Sequence, residues 1–144
     1  VSRLDMRCDI LHGLVAVALH RNNPQQAWDY ARRAYEDAQK LGYPLRLGFA
    51  HRALGDALTI LGHSPDEAID ADPDTHYAAA LEAFREVKAE GEVAKTLFAQ
   101  GRSMAQRSKS RSATRLFQQA MVLFTKLGMS DDAAKAAEAQ LSLL

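Results

Sequence analysis

Five histidines are the first residues of this sequence to consider for chemistry, because histidine is both a common metal ligand and an acid–base group. They are His12, His20, His51, His63 and His76. His12 and His20 lie eight residues apart, roughly on one face of a helix. No third ligand follows at a metal-binding spacing, and the sequence contains no HExxH motif. We therefore expect no metal site and no cofactor, and we interpret the histidines as ordinary surface residues.

Motifs for covalent or phosphate chemistry are also missing from the sequence. The glycines are spread through predicted helices and turns instead of forming a phosphate-binding loop. No serine lies in a nucleophile elbow, the sharp turn between a strand and a helix that exposes the nucleophile in many hydrolases. The sequence therefore predicts a protein that is not an enzyme.

The carboxylate-rich segment 66–74 is a candidate calcium-binding loop. Its acidic residues are Asp66, Glu67, Asp70, Asp72 and Asp74. A calcium loop needs alternating ligands, a glycine turn and a closing glutamate, and this segment has no glycine. Ser64-Pro65-Asp66-Glu67 is a capping-box pattern that predicts a short helix ending near Asp70, and Pro73 suits the first turn of the next helix. We therefore interpret these carboxylates as helix caps.

A basic turn at residues 107–111 is the other charged cluster, with Arg107, Lys109 and Arg111. One hypothesis is that it binds an anion or a phosphorylated partner, because arginine pairs well with phosphate. The favoured interpretation is a solvated turn between two helices.

Length and composition limit the classes of protein to which this sequence can belong. With 144 residues and 47% apolar content, one domain spanning residues 1–144 is expected. Basic and acidic residues balance at 18 each, which argues against nucleic acid or acidic membrane as a partner. Cys8 is the single cysteine, so a reducing, cytoplasmic setting is expected. Because the chain begins with Val1 and not Met, we expect it to be part of a longer polypeptide.

Apolar residues recur at helical spacing throughout the chain, most clearly between Val93 and Gly128. One stripe there is Val93, Leu97, Gly101 and Met104, and the next is Ala113, Phe117, Ala120, Phe124 and Leu127. No segment alternates as a strand would. The sequence predicts an all-α fold of three helical hairpins, at about 4–41, 45–89 and 92–127, and a closing helix at about 131–143.

The hairpins also show internal repetition. Ala80, Phe84 and Val87 recur, with the same spacing between them, as Ala113, Phe117 and Ala120. In the first helices, Leu54-Gly55 parallels Gln100-Gly101, which predicts close helix contact at each glycine. Segment 63–72 is then an insertion within the second hairpin. The spacing of small and aromatic residues resembles the tetratricopeptide repeat (TPR), in which small residues let paired helices approach closely.

The phrases EDAQKLG, EVAKTLFAQG and AMVLFTKLGMSDDAAKA extend this resemblance over nearly the whole chain. They are similar to a longer-repeat TPR variety found in bacterial multidomain signalling proteins, which include kinases, cyclases, ATPases and transcription activators. The resemblance implies a right-handed α-solenoid that acts as a protein-interaction module. The alternative is a sensory or regulatory segment of such a signalling protein, and self-association through end-to-end stacking is a further one.

The resemblance also implies a partner-binding groove, because the first helix of each TPR hairpin lines the concave face. The groove positions in this sequence are Asp9, His12, Phe49, Arg52, Asp56, Thr59, Lys95, Phe98 and Arg102. Phe49 and Phe98 are candidate apolar anchors for a bound peptide or helix, with packing between helices as the alternative. The carboxylate clamp of chaperone-binding members is incomplete: Lys95 matches one basic position, but Ala99 replaces the next arginine.

Three basic groove residues suggest the chemistry of the partner. Lys95 and Arg102 are seven residues apart, so they share one face of a helix. Together with Arg52 they are expected to form one wall that contacts an acidic or carboxylate-bearing protein segment. Asp56 lies one turn from Arg52, and an ion pair between these two residues is the alternative.

Overall fold

The computed structural model describes residues 2–144, and these residues form seven α-helices and no strand. The helices are α1 (Arg3–His20), α2 (Pro24–Leu41), α3 (Pro44–Leu61), α4 (Pro73–Glu86), α5 (Glu90–Gln106), α6 (Ser110–Lys126) and α7 (Ser130–Leu141). The predicted all-α class is therefore confirmed. Val1, the first residue of the predicted domain, lies outside the described residues. No helix between residues 2 and 144 is both long and apolar enough to cross a membrane.

Several helix boundaries follow from the capping residues in the sequence. The Asn23 side chain accepts a hydrogen bond from the Gln26 amide, and Pro24 takes the first position of α2. Gly42 and Gly62 end α2 and α3 in the left-handed conformation, at φ values of 73° and 83°. Glycine adopts this conformation without steric cost, so both helices end where the sequence predicts.

The segment between α3 and α4 differs from the prediction, because the short helix expected at residues 64–70 is absent. Ser64 does not cap a helix there. Its hydroxyl instead lies 2.8 Å from the carbonyl of Asp66 and 2.9 Å from that of Ile69. Ile69 is buried and packs with the core that α1, α2 and α3 share. A side chain that bonds the carbonyls of its own loop competes with helix formation, so the segment is an irregular connection.

The boundary between α4 and α5 also differs from the prediction. Helix α4 ends at Glu86, short of the expected residue 89, and α5 begins at Glu90. Lys88 takes the left-handed conformation at φ 57°, and the Ala89 amide bonds the Phe84 carbonyl at 2.9 Å. Gly91 therefore lies in the first turn of α5 and does not end the preceding helix. A sequence search for glycine misses this helix end because lysine occupies the left-handed position.

The helices pack in chain order, each against the next, and α3 also contacts both α1 and α5. The first helices of the three hairpins therefore lie side by side in one layer. Each of α2, α4 and α6 packs against the first helix of its own hairpin and against the helix that follows. Such stacking of helix pairs is the arrangement that an α-solenoid requires.

In the second and third hairpins, aromatic rings of the second helix lie against the first helix. The Tyr77 ring covers Gly55 and the Phe117 ring covers Gly101, so closely that a Cβ atom there would lie 2.8 Å and 2.7 Å from the ring. Phe84 covers Gly48 in the same way, at 2.6 Å. These glycines remove the side chain that would otherwise hold the two helices apart.

The repeat register differs from the one predicted. Tyr77, Ala80 and Phe84 of α4 are fully buried, and Phe117, Ala120 and Phe124 occupy the same places in α6. The corresponding set in α2 is Trp28, Ala31 and Tyr35. The predicted alignment instead pairs Val87 with Ala120, but the Val87 side chain is 43% exposed whereas Ala120 is fully buried. The predicted alignment therefore pairs an exposed position of α4 with a buried position of α6, and it is wrong.

Truncating Phe117 should strongly destabilise the fold. The Phe117 side chain is 2% exposed, and Gly101 cannot fill the space that Phe117→Ala would leave. We expect the free energy of unfolding to fall by about 3–5 kcal/mol in urea denaturation. Val122→Ala is the matched control in the same helix, because Val122 is 57% exposed. Equal effects of the two substitutions would contradict the assigned core face.

Two histidines connect α3 to the irregular segment before α4. His76 is buried, so the interpretation of the histidines as surface residues is wrong for it. His76 Nε2 lies 2.8 Å from the Asp70 carbonyl, and His76 Nδ1 lies 3.2 Å from His51 Nδ1. Because the carbonyl can only accept, His76 Nε2 donates, which leaves its Nδ1 to accept a hydrogen bond from His51. The Tyr35 ring covers His51 at 5.0 Å. Burial and the neighbouring His76 lower the pKa of His51 to about 4.

This depressed pKa predicts a loss of stability in acid. The unfolded chain protonates His51 near pH 6.5, whereas the folded chain does so only near pH 4. The part of the folding stability that depends on a neutral His51 is therefore fully present above pH 6.5, and it is lost as the pH falls towards 4. We expect His51→Gln to recover about 1–2 kcal/mol of the unfolding free energy that wild type loses between pH 7 and 4.5. His63→Gln is the exposed control, and an equal recovery in it would refute the assignment.

Candidate functional site

An open cavity of about 570 Å³ lies along the layer of first helices and reaches α7. Seven of the nine predicted groove residues line it: His12, Arg52, Asp56, Thr59, Lys95, Phe98 and Arg102. The other two, Asp9 and Phe49, line an adjoining cavity of about 270 Å³, and His12 borders both. The fold thus brings residues of three hairpins to one surface.

The smaller cavity is enclosed by groups that already have partners. Asp9 and Asp5 form ion pairs with Arg46, which connects α3 to α1. The Phe49 ring packs at 5.3 Å from Phe84 and at 5.0 Å from His12. Asp9 and Phe49 therefore both hold helices together, and the Phe49 ring is half-buried while the Asp9 side chain stays 64% exposed.

Cys8 also lines the smaller cavity. Burial and the nearby carboxylate of Asp37 raise the pKa of its thiol. A thiol with a raised pKa remains protonated at neutral pH, and the thiolate is the reactive form. Cys8 is therefore a buried packing residue whose thiol stays protonated near neutral pH.

Arg52 of α3 is held by several groups of α5. Its guanidinium lies 2.9 Å from Glu92 Oε2 and 3.2 Å from Thr96 Oγ1. It also lies 5.3 Å from the centres of the Phe49 and Phe84 rings, where a cation is attracted to the aromatic face. The charge of Arg52 is thus compensated by Glu92, and the alternative pairing with Asp56 does not form among residues 2–144.

The inner wall of the larger cavity is a small polar network that the sequence did not reveal. Tyr77 is fully buried, and its hydroxyl donates to Asp56 Oδ1 at 2.5 Å. The Thr59 hydroxyl donates to the Gly55 carbonyl at 2.8 Å, so Ser103, 2.5 Å from Thr59 Oγ1, must donate to Thr59. These contacts couple α3 to α4 and α5.

The electrostatics of this wall follow from its burial. Burial raises the pKa of the Asp56 carboxyl group, although the Tyr77 hydrogen bond and Arg102 act in the opposite direction. Burial and the adjacent Asp56 raise the pKa of Tyr77 well above its ordinary value. Tyr77 therefore remains a neutral donor. Its place in the buried stripe of α4 was visible in the sequence, but its approach to Asp56 depends on how α3 and α4 pack.

The outer wall carries the cations that have fewer partners. Arg102 lies with its guanidinium 4.9 Å from the centre of the Phe98 ring, and it has no ion pair within residues 2–144. The Lys95 ammonium is 3.7 Å from Glu92, and the side chain is 47% exposed. Burial and Arg52 lower the pKa of His12, so its imidazole is neutral near pH 7. Lys95 and Arg102 are therefore the cations of this wall that a ligand can reach.

The basic turn beyond α5 is less open than its composition indicates. Arg107 bonds Asp74 through both terminal nitrogens, at 2.8 Å and 3.1 Å, and also bonds the Ser103 carbonyl. This side chain therefore joins α5 to the start of α4. Asp74, one of the carboxylates considered for calcium, is engaged in that contact.

The arrangement presents cationic, aromatic and hydrogen-bonding groups to the cavity. Within residues 2–144, no three His, Cys, Asp or Glu side chains are grouped as a metal site would need. No known protein-family model matches the chain, and no curated protein is significantly similar to it. What the cavity provides is an aromatic and cationic outer wall that faces a polar inner wall.

Removing the Tyr77 hydroxyl tests the inner wall. Tyr77→Phe would leave the partly buried Asp56 carboxylate without this donor, so we expect a loss of about 1–3 kcal/mol in the free energy of unfolding at pH 7. The loss should shrink in acid, where Asp56 becomes protonated. Tyr43→Phe is the control, because Tyr43 is 53% exposed. A pH-independent loss would show that Asp56 is not the affected group.

Proposed function

We propose that this chain is a TPR-like interaction module that binds an acidic protein or peptide segment in the larger cavity. The stacked helix pairs and the ring-on-glycine contacts support the resemblance to TPR arrays. The position of the cavity also supports it, since the cavity lies along the first helices, which line the binding face of such arrays. A cytoplasmic setting remains part of this proposal.

The observation that carries the proposal is the exposed Arg102 on the half-buried Phe98 ring, beside Lys95. A guanidinium that lies on an aromatic ring is pre-positioned and keeps its outward donors free for a carboxylate. Arg52 is excluded from this role because Glu92 compensates its charge. The acidic segment therefore contacts α5, and the three-residue basic wall expected from the sequence reduces to Lys95 and Arg102.

The inner wall suggests how the main chain of a bound segment is oriented. Asp56 lines the cavity, and its carboxyl group can accept a hydrogen bond from a backbone amide of the ligand. The apolar residues Phe98 and Ile60 also line it and can cover one side chain of the ligand. A segment with a carboxylate next to an apolar residue matches both walls.

Peptide binding with charge-reversed variants tests this function. The probes are two fluorescein-labelled peptides of equal length, one with alternating Glu and Leu, and one with Lys in place of each Glu. We expect the acidic peptide alone to bind, and Lys95→Glu with Arg102→Glu to weaken its affinity by about tenfold or more. The affinity of wild type should fall as salt rises, and that of the variant should not.

The matched control reverses Arg111 and Arg115, two exposed cations of α6 away from the cavity. Arg111→Glu with Arg115→Glu changes the net charge equally but should leave the affinity nearly unchanged. Equal losses in both variants would mean that the peptide responds to net charge, which would reject the cavity as the site. Circular dichroism should show intact helices in both, because exposed charges contribute little to stability.

A further inference from the structure

The smaller cavity has an apolar interior formed by side chains of three helices. Cys8 of α1, Ala34 of α2, and Ala50 and Ala53 of α3 line it, and each of them is at most 6% exposed. The half-buried Phe49 ring lines it as well. The short side chains leave a space of about 270 Å³ open, and an apolar cavity of about 150 Å³ in another protein is already large enough to bind benzene. The interior therefore has room for one aromatic or branched aliphatic group.

The exposed edge of this cavity carries an excess of negative charge. Asp9 and Arg46 line the cavity, and Arg46 forms ion pairs with both Asp9 and Asp5. Because two carboxylates share one guanidinium, the cluster of these three residues carries one net negative charge. The Asp9 side chain is 64% exposed, whereas the Arg46 side chain is 21% exposed. A ligand at this edge therefore reaches the carboxylate more readily than the guanidinium.

Glu92 supplies a second acceptor at the lining of the cavity. Its Oε2 atom is buried, and no donor in the part of the chain that the structure describes is aligned to hydrogen-bond it, although Arg52 lies 2.9 Å away. The Lys95 ammonium lies 3.7 Å from the other oxygen, Oε1. A buried carboxylate oxygen without a hydrogen bond is costly. Glu92 can therefore accept a hydrogen bond from a ligand without losing one that it already has.

The other groups around the cavity favour a cation over an anion. Partial burial lowers the pKa of His12, so its imidazole is neutral near pH 7 and adds no positive charge. Burial raises the pKa of the Cys8 thiol, and the carboxylate of Asp37 raises it further, whereas Arg46 acts in the opposite direction. Negative charge therefore outweighs positive charge on the Cys8 side of the cavity.

We propose that the smaller cavity binds a small primary ammonium compound that carries one aromatic or branched aliphatic group. The apolar group occupies the space between the alanines and the Phe49 ring, and the ammonium group binds the carboxylates of Asp9 and Glu92. An ammonium group has donors and no acceptor, so it matches an edge whose available atoms are carboxylate oxygens. The ligand is opposite in charge to the peptide of the larger cavity, and either proposal can fail without the other.

Isothermal titration calorimetry with three compounds of similar size tests the ligand chemistry. The probes are phenethylamine, phenethyl alcohol and hydrocinnamate, which present an ammonium, a hydroxyl and a carboxylate group on the same apolar body. We expect phenethylamine to bind with a Kd of about 0.1–1 mM, as is typical of a ligand this small. The alcohol should bind about tenfold more weakly or worse, and hydrocinnamate should not bind. Equal affinity for amine and alcohol, or no amine binding at about 10 mM, would overturn the proposal.

Two substitutions in the lining test whether both parts of the cavity are needed. Ala50→Leu places a larger side chain in the apolar interior and should abolish phenethylamine binding. Asp9→Asn should weaken it by about tenfold, and Asp5 remains to pair with Arg46, so circular dichroism should show an intact fold. Asp131→Asn is the matched control, because it removes an equal charge from an exposed position of α7. Wild-type affinity in Asp9→Asn, or an equal loss in Asp131→Asn, would refute the assigned carboxylate.

Alanine methyl NMR spectra distinguish the two cavities. Ala50 and Ala53 line the smaller cavity, whereas Ala16 and Ala99 line the larger one. Titration of the wild-type protein with phenethylamine should shift the methyl signals of Ala50 and Ala53 and leave those of Ala16 and Ala99 unchanged. Shifts confined to Ala16 and Ala99 would place the amine in the larger cavity and would overturn the proposal.

Discussion

Close contact between an aromatic ring and a glycine is the constraint on which this structure depends. In the second and third hairpins, rings of the second helix lie where the side chain of the first helix would be. The large ring supplies the buried apolar area, and the missing Cβ atom sets the distance between helix axes. These contacts set the spacing within the second and third hairpins, whose first helices then lie side by side.

Contacts between hairpins and within them hold the side chains of the larger cavity in place. Arg52 to Glu92 and Thr59 to Ser103 join α3 to α5, and Tyr77 to Asp56 joins α4 to α3. These groups lie at the inner side of the cavity, where burial strengthens their mutual interactions. Residues that resemble ligand-binding groups in the sequence thus position the wall, and the reachable cations are confined to α5.

The sequence predicted the periodic features well and the contact-dependent ones poorly. Helical spacing placed seven helices and most of their ends, and seven groove positions do border one cavity. The error in repeat register arose because Val87 is apolar and correctly spaced, yet its position at the helix end leaves it 43% exposed. The loop at Ser64 was predicted as a helix because a capping motif does not show which carbonyls its hydroxyl will bond.

The sequence by itself determined the all-α class, the hairpin boundaries marked by glycine and proline, and the small residues at helix contacts. These features depend on local backbone preference and on periodicity, which a linear chain displays directly. Only the tertiary structure decided which charges of the cavity are already paired. That choice depends on side chains distant in sequence, such as Arg52 and Glu92, which belong to different hairpins and meet only once those hairpins have stacked.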